Sequence, residues 1–111
     1  MKEFVVVVSI HLKPGCEAEF LRLLMPVVEV VRHETTFVNN VLHQDPEDPT
    51  RFMSYETWAD HDEFFAVQFK REYRQAYETR LPDLLQEPRQ MQIWQPLHSD
   101  FTFFSHQTST G

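Results

Sequence analysis

The run Phe4 to Leu12, FVVVVSIHL, constrains the fold more than any other segment of the chain. Phe4, Val6, Val8, Ile10 and Leu12 fall on one face of a strand, with Val5, Val7, Ser9 and His11 on the other. The first half is apolar on both faces, so it belongs at the centre of a sheet, covered on both sides. Pro14-Gly15 then turns the chain. From Cys16 to His33 the period becomes helical, with Phe20, Leu23, Leu24, Val27, Val28 and Val31 at one-face spacing. Pro26 inside that pattern predicts a kink, because it removes the amide that would bond the Arg22 carbonyl.

Two further strands are predicted at Thr36 to Gln44 and Arg51 to Trp58. They are joined by DPEDPT, whose two prolines and three acids are expected to end both ladders. Asp60-x-x-Glu63 is a capping-box variant that opens a second helix. That helix is expected to bend near Lys70 and to carry Phe64, Phe65, Phe69, Tyr73, Ala76 and Tyr77 inward. Pro82 is read as restarting a short turn through Leu85, and Arg89 to Leu97 as the fourth strand. The order is β-α-β-β-α-β, the ferredoxin-like α+β arrangement with an antiparallel sheet and helices on one face. Its other face is apolar enough to want cover, so a homodimer with facing sheets is expected. Residues 1–97 form the domain, and residues 98–111 a tail that either wraps the partner or stays disordered.

Composition narrows the partners. The chain has 111 residues, 41% of them hydrophobic, and its ten Phe are more bulky apolar surface than one small core absorbs, which favours an interface or a ligand cavity. A net charge of −7 with no basic patch excludes nucleic acid and anionic membrane as expected partners. The lone Cys16 cannot form an internal disulfide, which points to a reducing cytoplasm. The amino-terminal run reads as a strand rather than a leader, and no run reaches transmembrane length.

Several short motifs stand in a recognisable order. They are Lys13-Pro14-Gly15, Arg32-x-Glu34, Leu42-His43-Gln44-Asp45-Pro46, Asp48-Pro49-x-Arg51-Phe52, Tyr55-Glu56-x-Trp58 and Leu84-Leu85-x-Glu87-Pro88. Together they resemble the antibiotic biosynthesis monooxygenase domain family over residues 3 to 97. The resemblance implies a dimeric α+β barrel with a pocket between sheet and helices in each protomer. It also implies one of three chemistries: cofactor-free oxygenation of phenolic polyketides and quinols, haem degradation, or isomerisation of small sugar-like phosphates. Where many members carry helix histidines this chain has Val67 and Glu72. Val67 cannot ligate iron, and the first strand has a Val run in place of the asparagine of the haem-degrading branch, so haem is not expected. Thr36-Phe37 replaces a common Gly-Cys at the second strand.

The candidate site follows from strand alternation and this resemblance. Phe52, Ser54, Glu56 and Trp58 share one face of the third strand. Val38, Asn40, Leu42 and Gln44 share a face of the second, opposite Phe37, Asn39, Val41 and His43. By resemblance the Glu56/Trp58 and Asn40 faces are assigned to the pocket. A cofactor-free oxygenase must deprotonate its phenol, hold the resulting oxyanion and keep water out. Glu56 is the candidate proton acceptor, Trp58 and Asn40 are candidate N–H donors, and His43 and His61 are alternative bases. Each also has a structural role open to it: Glu56 paired with Arg32 or Arg51, Trp58 as a core anchor, His43 as a surface residue. The six His show no metal-binding spacing, and Cys16 has no His nearby, so neither metal nor thiol chemistry is expected. The expected function is oxidation of a small phenolic or quinol-type aromatic by dioxygen without a cofactor. An isomerase or tautomerase of a small carbonyl compound, and a non-catalytic dimeric binding module, are the alternatives.

Overall fold

The computed structural model describes residues 3–102. Its elements are β1 (Phe4–His11), α1 (Glu17–Val31), β2 (Phe37–Asp45), β3 (Asp48–Trp58), α2 (His61–Val67), α3 (Gln75–Leu84) and β4 (Gln90–Trp94). Two 3₁₀ turns, Gln68–Lys70 and Glu72–Arg74, separate α2 from α3. The four strands lie in the order β2-β3-β1-β4, and every pairing is antiparallel. This is the ferredoxin-like α+β arrangement. β1 is central, as its two apolar faces require: Phe4, Val6, Val8, Ile10 and Leu12 are buried under the helices, and Val5 is buried on the opposite face. The chain turns out of β1 at Gly15, whose φ of 86° is a conformation that a side chain would resist. No helix among the described residues is long and apolar enough to cross a membrane.

α1 packs Phe20, Val27 and Val31 against the sheet and runs unbroken through Pro26, which faces solvent. The Arg22 carbonyl that Pro26 leaves unbonded is on that exposed side, where water can serve it. The hairpin differs from the expectation. β2 extends to Asp45, β3 begins at Asp48, and these two residues pair across Pro46-Glu47. The acids make the turn: Asp45 Oδ1 accepts from the Glu47 amide at 2.8 Å, and Asp48 Oδ1 from the Thr50 amide at 3.0 Å and its hydroxyl at 2.7 Å. Pro46 sits in the turn itself, and Pro49 lies beyond Arg51, the last residue of β3 that pairs with β1, so neither removes a needed amide.

A register shift between Phe37 and Asn39 also changes a face. Val38 bulges outward and is 47% exposed, while Phe37, expected beside Asn39, turns inward to meet the Trp58 ring at 5.4 Å. The second helical stretch breaks where expected, but the break resets its phase. Phe64 and Tyr77 are buried and Phe69 and Tyr73 half-buried, whereas Phe65 and Ala76, expected inside, are exposed. Pro82 stands within α3 rather than restarting a turn, near the end of the helix where few amides remain to be lost. β4 is five residues, shorter than Arg89–Leu97, and Pro96 beyond it has no ladder amide to offer. Residues 98–102 carry no regular structure, and the rest of the tail lies outside the described residues.

The broken segment is tied to the loop after α1. Glu34 accepts from the Tyr73 hydroxyl at 2.7 Å and from Arg71 Nη2 at 3.1 Å. Glu63 accepts from the Thr36 hydroxyl at 2.9 Å and from the Gln68 amide, whose side chain is fully buried. Asp60 caps α2 by accepting from the Glu63 amide at 3.1 Å. Burial pushes the Glu34 carboxyl up, but hydrogen bonds from Tyr73 and Gln68 and the charge of Arg71 outweigh it, and its pKa ends below the usual 4.5. A lowered folded pKa gives stability that is present above the unfolded value and lost as pH falls through the folded one. Glu34→Gln is therefore expected to cost about 1–3 kcal/mol at pH 7. Urea unfolding in parallel at neutral pH and near pH 3 checks this: the gap between wild type and variant should narrow sharply in acid.

Candidate active site

A carboxylate between a sheet and its helices needs donors, and β3 supplies them from its own inward face. Glu56 sits between Ser54 and Trp58 on that face, since alternate residues of a strand point the same way. The Trp58 indole N–H donates to Glu56 Oε1 at 3.1 Å, and Ser54 Oγ lies 2.9 Å from Glu56 Oε2. Neither arginine considered as a partner reaches Glu56: Arg32 pairs with Glu29 at 3.0 Å, and Arg51 stands 4.0 Å from Asp45. Trp58 is fully buried among Phe37, Phe64 and the sheet, so its N–H is committed to Glu56 and its ring is core.

Asn40, paired with Glu56 across the β2–β3 ladder, brings its side-chain oxygen within 3.1 Å of Ser54 Oγ. One hydroxyl has one proton, so the two Ser54 contacts constrain each other. The Ser54 proton goes either to Asn40 Oδ1 or to Glu56 Oε2. If Ser54 donates to Glu56, the Asn40 amide must turn and donate its N–H. Asn40, Ser54 and Glu56 thus form one hydrogen-bonded chain whose direction is set by the Ser54 hydroxyl.

That chain opens into a cavity of about 50 Å³ between sheet and helices, lined by Asn40, Ser54 and Glu56. Its apolar walls are Val8, Ile10, Phe20, Leu24, Val27, Leu42, Phe64, Phe69 and Met91. Four more polar residues line it that the sequence did not single out as site residues: Arg74, Tyr77, Glu78 and Arg89. Arg89 grips Glu78 with two parallel bonds of 3.1 and 3.0 Å. Burial pushes the Tyr77 hydroxyl up to about 12, which keeps its proton in place at neutral pH. The signals were available: Arg74 precedes inward Tyr77 by three residues on a helical period, and Arg89 precedes inward Met91 by two on a strand period.

The other candidates lie elsewhere. His43 is exposed on the opposite face of the sheet, its Nδ1 3.2 Å from the Met53 carbonyl oxygen, beside an open groove also lined by His11, Arg51 and Glu87. His61 packs against the rings of Phe4 and Phe65, 5.0 Å from each, with its Nδ1 3.0 Å from Asp62. Val67 and Glu72 do not line the cavity. Among the described residues no three His, Cys, Asp or Glu side chains are grouped to hold a metal ion.

The model of one protein family, described as antibiotic biosynthesis monooxygenase, matches residues 3–79, the stretch from β1 through α2 to the first half of α3. The chain belongs to this family. The chain is similar to a Pestalotiopsis microspora protein named "Putative monooxygenase GME11364", at 30% identity over 92 residues, which cover 78% of this chain and 77% of that one. Among solved structures, a Nitrosomonas europaea protein assigned to the same family superposes with a TM-score of 0.80 at 22% identity, covering 87% of this chain and 92% of that chain. A single-residue mutant of SnoaB from Streptomyces nogalater, described as a cofactor-independent oxygenase, superposes with a TM-score of 0.75 at 17% identity, covering 89% and 97%. At such identities the solved structures speak for the fold.

The antibiotic biosynthesis monooxygenase fold here leaves Ser54 facing a cavity and Trp58 facing the core, and the two substitutions should differ accordingly. Ser54→Ala is expected to cost about 1 kcal/mol, because cavity water can replace the hydroxyl. Trp58→Phe removes a donor no water can replace and leaves a void, so about 2–4 kcal/mol is expected. Urea unfolding of both variants against wild type checks the order.

Proposed function

We propose that the chain is a monooxygenase that oxidises a small phenolic or quinol-type aromatic with dioxygen, without a metal or organic cofactor. The observation that carries this reading is the Glu56–Ser54–Asn40 chain opening into an apolar-walled cavity. Membership of the antibiotic biosynthesis monooxygenase family and the likeness to the Pestalotiopsis monooxygenase support it. Glu56 accepts the phenolic proton and Asn40 donates an N–H to the oxyanion, while the indole of Trp58 acts on Glu56 as a positioning group rather than on substrate. The electron-rich anion then reduces dioxygen itself. A carbon–oxygen bond forms at the position of a ring C–H, the resulting hydroperoxide loses water, and a quinone remains. One oxygen atom enters the product, the other leaves as water, and the substrate supplies all four electrons.

Cavity size bears on this. A dry cavity that takes benzene measures about 150 Å³, against about 50 Å³ here. Ring binding therefore displaces a wall. Met91 is the wall best able to give, being an unbranched side chain on the edge strand β4 and 36% exposed. The reading also includes a homodimer. Val41, Tyr55 and Trp94 on the face away from the helices are 48%, 40% and 57% exposed, and a second sheet laid on that face buries them.

Oxygen uptake by purified protein over a panel of dihydroxyarenes and anthrone-like phenols, with chelator present, tests the activity. Enzyme-dependent uptake should match quinone formed one for one. Glu56→Gln should lower kcat by on the order of 10²–10⁴ with the unfolding midpoint little changed. Absence of uptake across the panel, or an unimpaired Glu56→Gln variant, would sink the reading.

A further inference from the structure

Two arginines line the cavity, and only one of them is paired with a carboxylate among the described residues. Arg89 is bidentate to Glu78. Arg74 is 8% exposed, its Nε–H is buried without an acceptor, and no hydrogen bond or ion pair joins it to a carboxylate among the described residues. The nearby acids are already engaged. Glu34 takes Arg71 and Tyr73, and Glu56 takes Ser54 and Trp58. Arg74 is held by neutral groups, the face of Phe69, with the guanidinium carbon 5.6 Å from the ring centroid, and the Tyr73 hydroxyl. A guanidinium keeps its charge at any ordinary pH, and a buried unpaired charge is expensive. Such a group is tolerated where a ligand brings the counter-charge.

We propose that Arg74 is the anion-binding residue of this cavity and that the substrate is an aromatic acid, its carboxylate on Arg74 and its phenolic hydroxyl toward Glu56 and Asn40. The fork geometry favours a carboxylate over a phenolate. A guanidinium offers parallel N–H groups that match two oxygens, whereas a phenolate offers one and leaves the second donor unpaired. The placement of the two ends agrees with this: Arg74 comes from the helical layer, Glu56 and Asn40 from the sheet, so a ring between them presents its ends to both. Naming this acid as substrate rests on the oxygenase reading. Its binding does not.

The test is binding of two probes of the same shape, 4-hydroxybenzoate and 4-hydroxybenzamide, by calorimetry at neutral pH with wild type, Arg74→Met and Arg74→Lys. Wild type should prefer the acid by about tenfold or more. Arg74→Met should lose that preference while still binding the amide, and Arg74→Lys should keep part of it. Equal affinity for the two probes, no binding of either, or a preference that survives Arg74→Met overturns the proposal. If the Met variant does not fold, the wild-type comparison and the Lys variant decide. Acid bound without oxygen uptake would keep Arg74 in its role and remove the oxygenase; uptake confined to neutral phenols, with no preference for the acid, would do the reverse.

Discussion

A carboxyl group can stand between a sheet and the helices packed on it only if its oxygens are occupied. That constraint organises this structure. Glu56 occurs at a position where strand alternation calls for an apolar side chain, and it is tolerated because its neighbours at two residues' spacing on the same strand serve its two oxygens. The register of β3 against β1, with Phe4 opposite Trp58 and Val6 opposite Glu56, fixes that face inward. A one-residue slip would send Glu56 to the exposed face and Tyr55 into the core. A second register, β2 against β3, brings Asn40 opposite Glu56, so the two pairings together assemble the hydrogen-bonded chain.

The cavity depends on a second feature, the interruption between α2 and α3. A continuous helix from His61 onward would lay a closed apolar stripe over the sheet. Instead the backbone extends at Arg71, between the two 3₁₀ turns, and the wall is made by Phe64 and Phe69 from one side of the break and Arg74 and Tyr77 from the other. Such a break exposes polar backbone and must be held. Glu34 and Glu63 hold it through Arg71, Tyr73 and Gln68, charged and amide groups rather than packing, so the wall of the site is fastened by contacts that respond to pH and salt.

The sequence made the layers legible because they follow period. β1 is apolar at every step of its first half, α1 repeats at helical spacing, and β3 alternates, so centre, layer and inward face could all be read. What could not be read were shifts of phase. The bulge at Val38 put Phe37 out of phase with Asn39 and turned it inward, and the break after Val67 left Phe65 and Ala76 outside, because one irregular residue changes the phase between the residues on its two sides. The carboxylate turn at Asp45–Asp48 was hidden for a different reason: prolines there argued against a ladder, and side-chain oxygens capping amides two residues on argued for one. At the site, alternation grouped Glu56 with Trp58 and Asn40 with Leu42, and the family resemblance turned those faces toward the pocket, where Glu56 and Asn40 line the cavity. The arginines stand at inward-facing spacings from Tyr77 and Met91, but a long charged side chain at such a spacing can equally reach out to solvent. Whether it folds inward depends on partners that sequence order does not display.

The charges around the cavity are arranged by layer. On the sheet side stand Asn40, Ser54 and Glu56, joined by hydrogen bonds through the Ser54 hydroxyl. On the helical side stands Arg74, backed by an aromatic ring, and the Glu78–Arg89 pair there cancels itself. Between them the walls are apolar, so a ligand group that meets either end does so with little competing water, and each contact is worth more than it would be at the surface. A molecule with an acid at one end and an acidic hydroxyl at the other satisfies both layers at once. On the proposed reading its negative end is drawn to Arg74, which sets the hydroxyl near Glu56, and the binding of a non-reacting end then contributes to orientation at the reacting one.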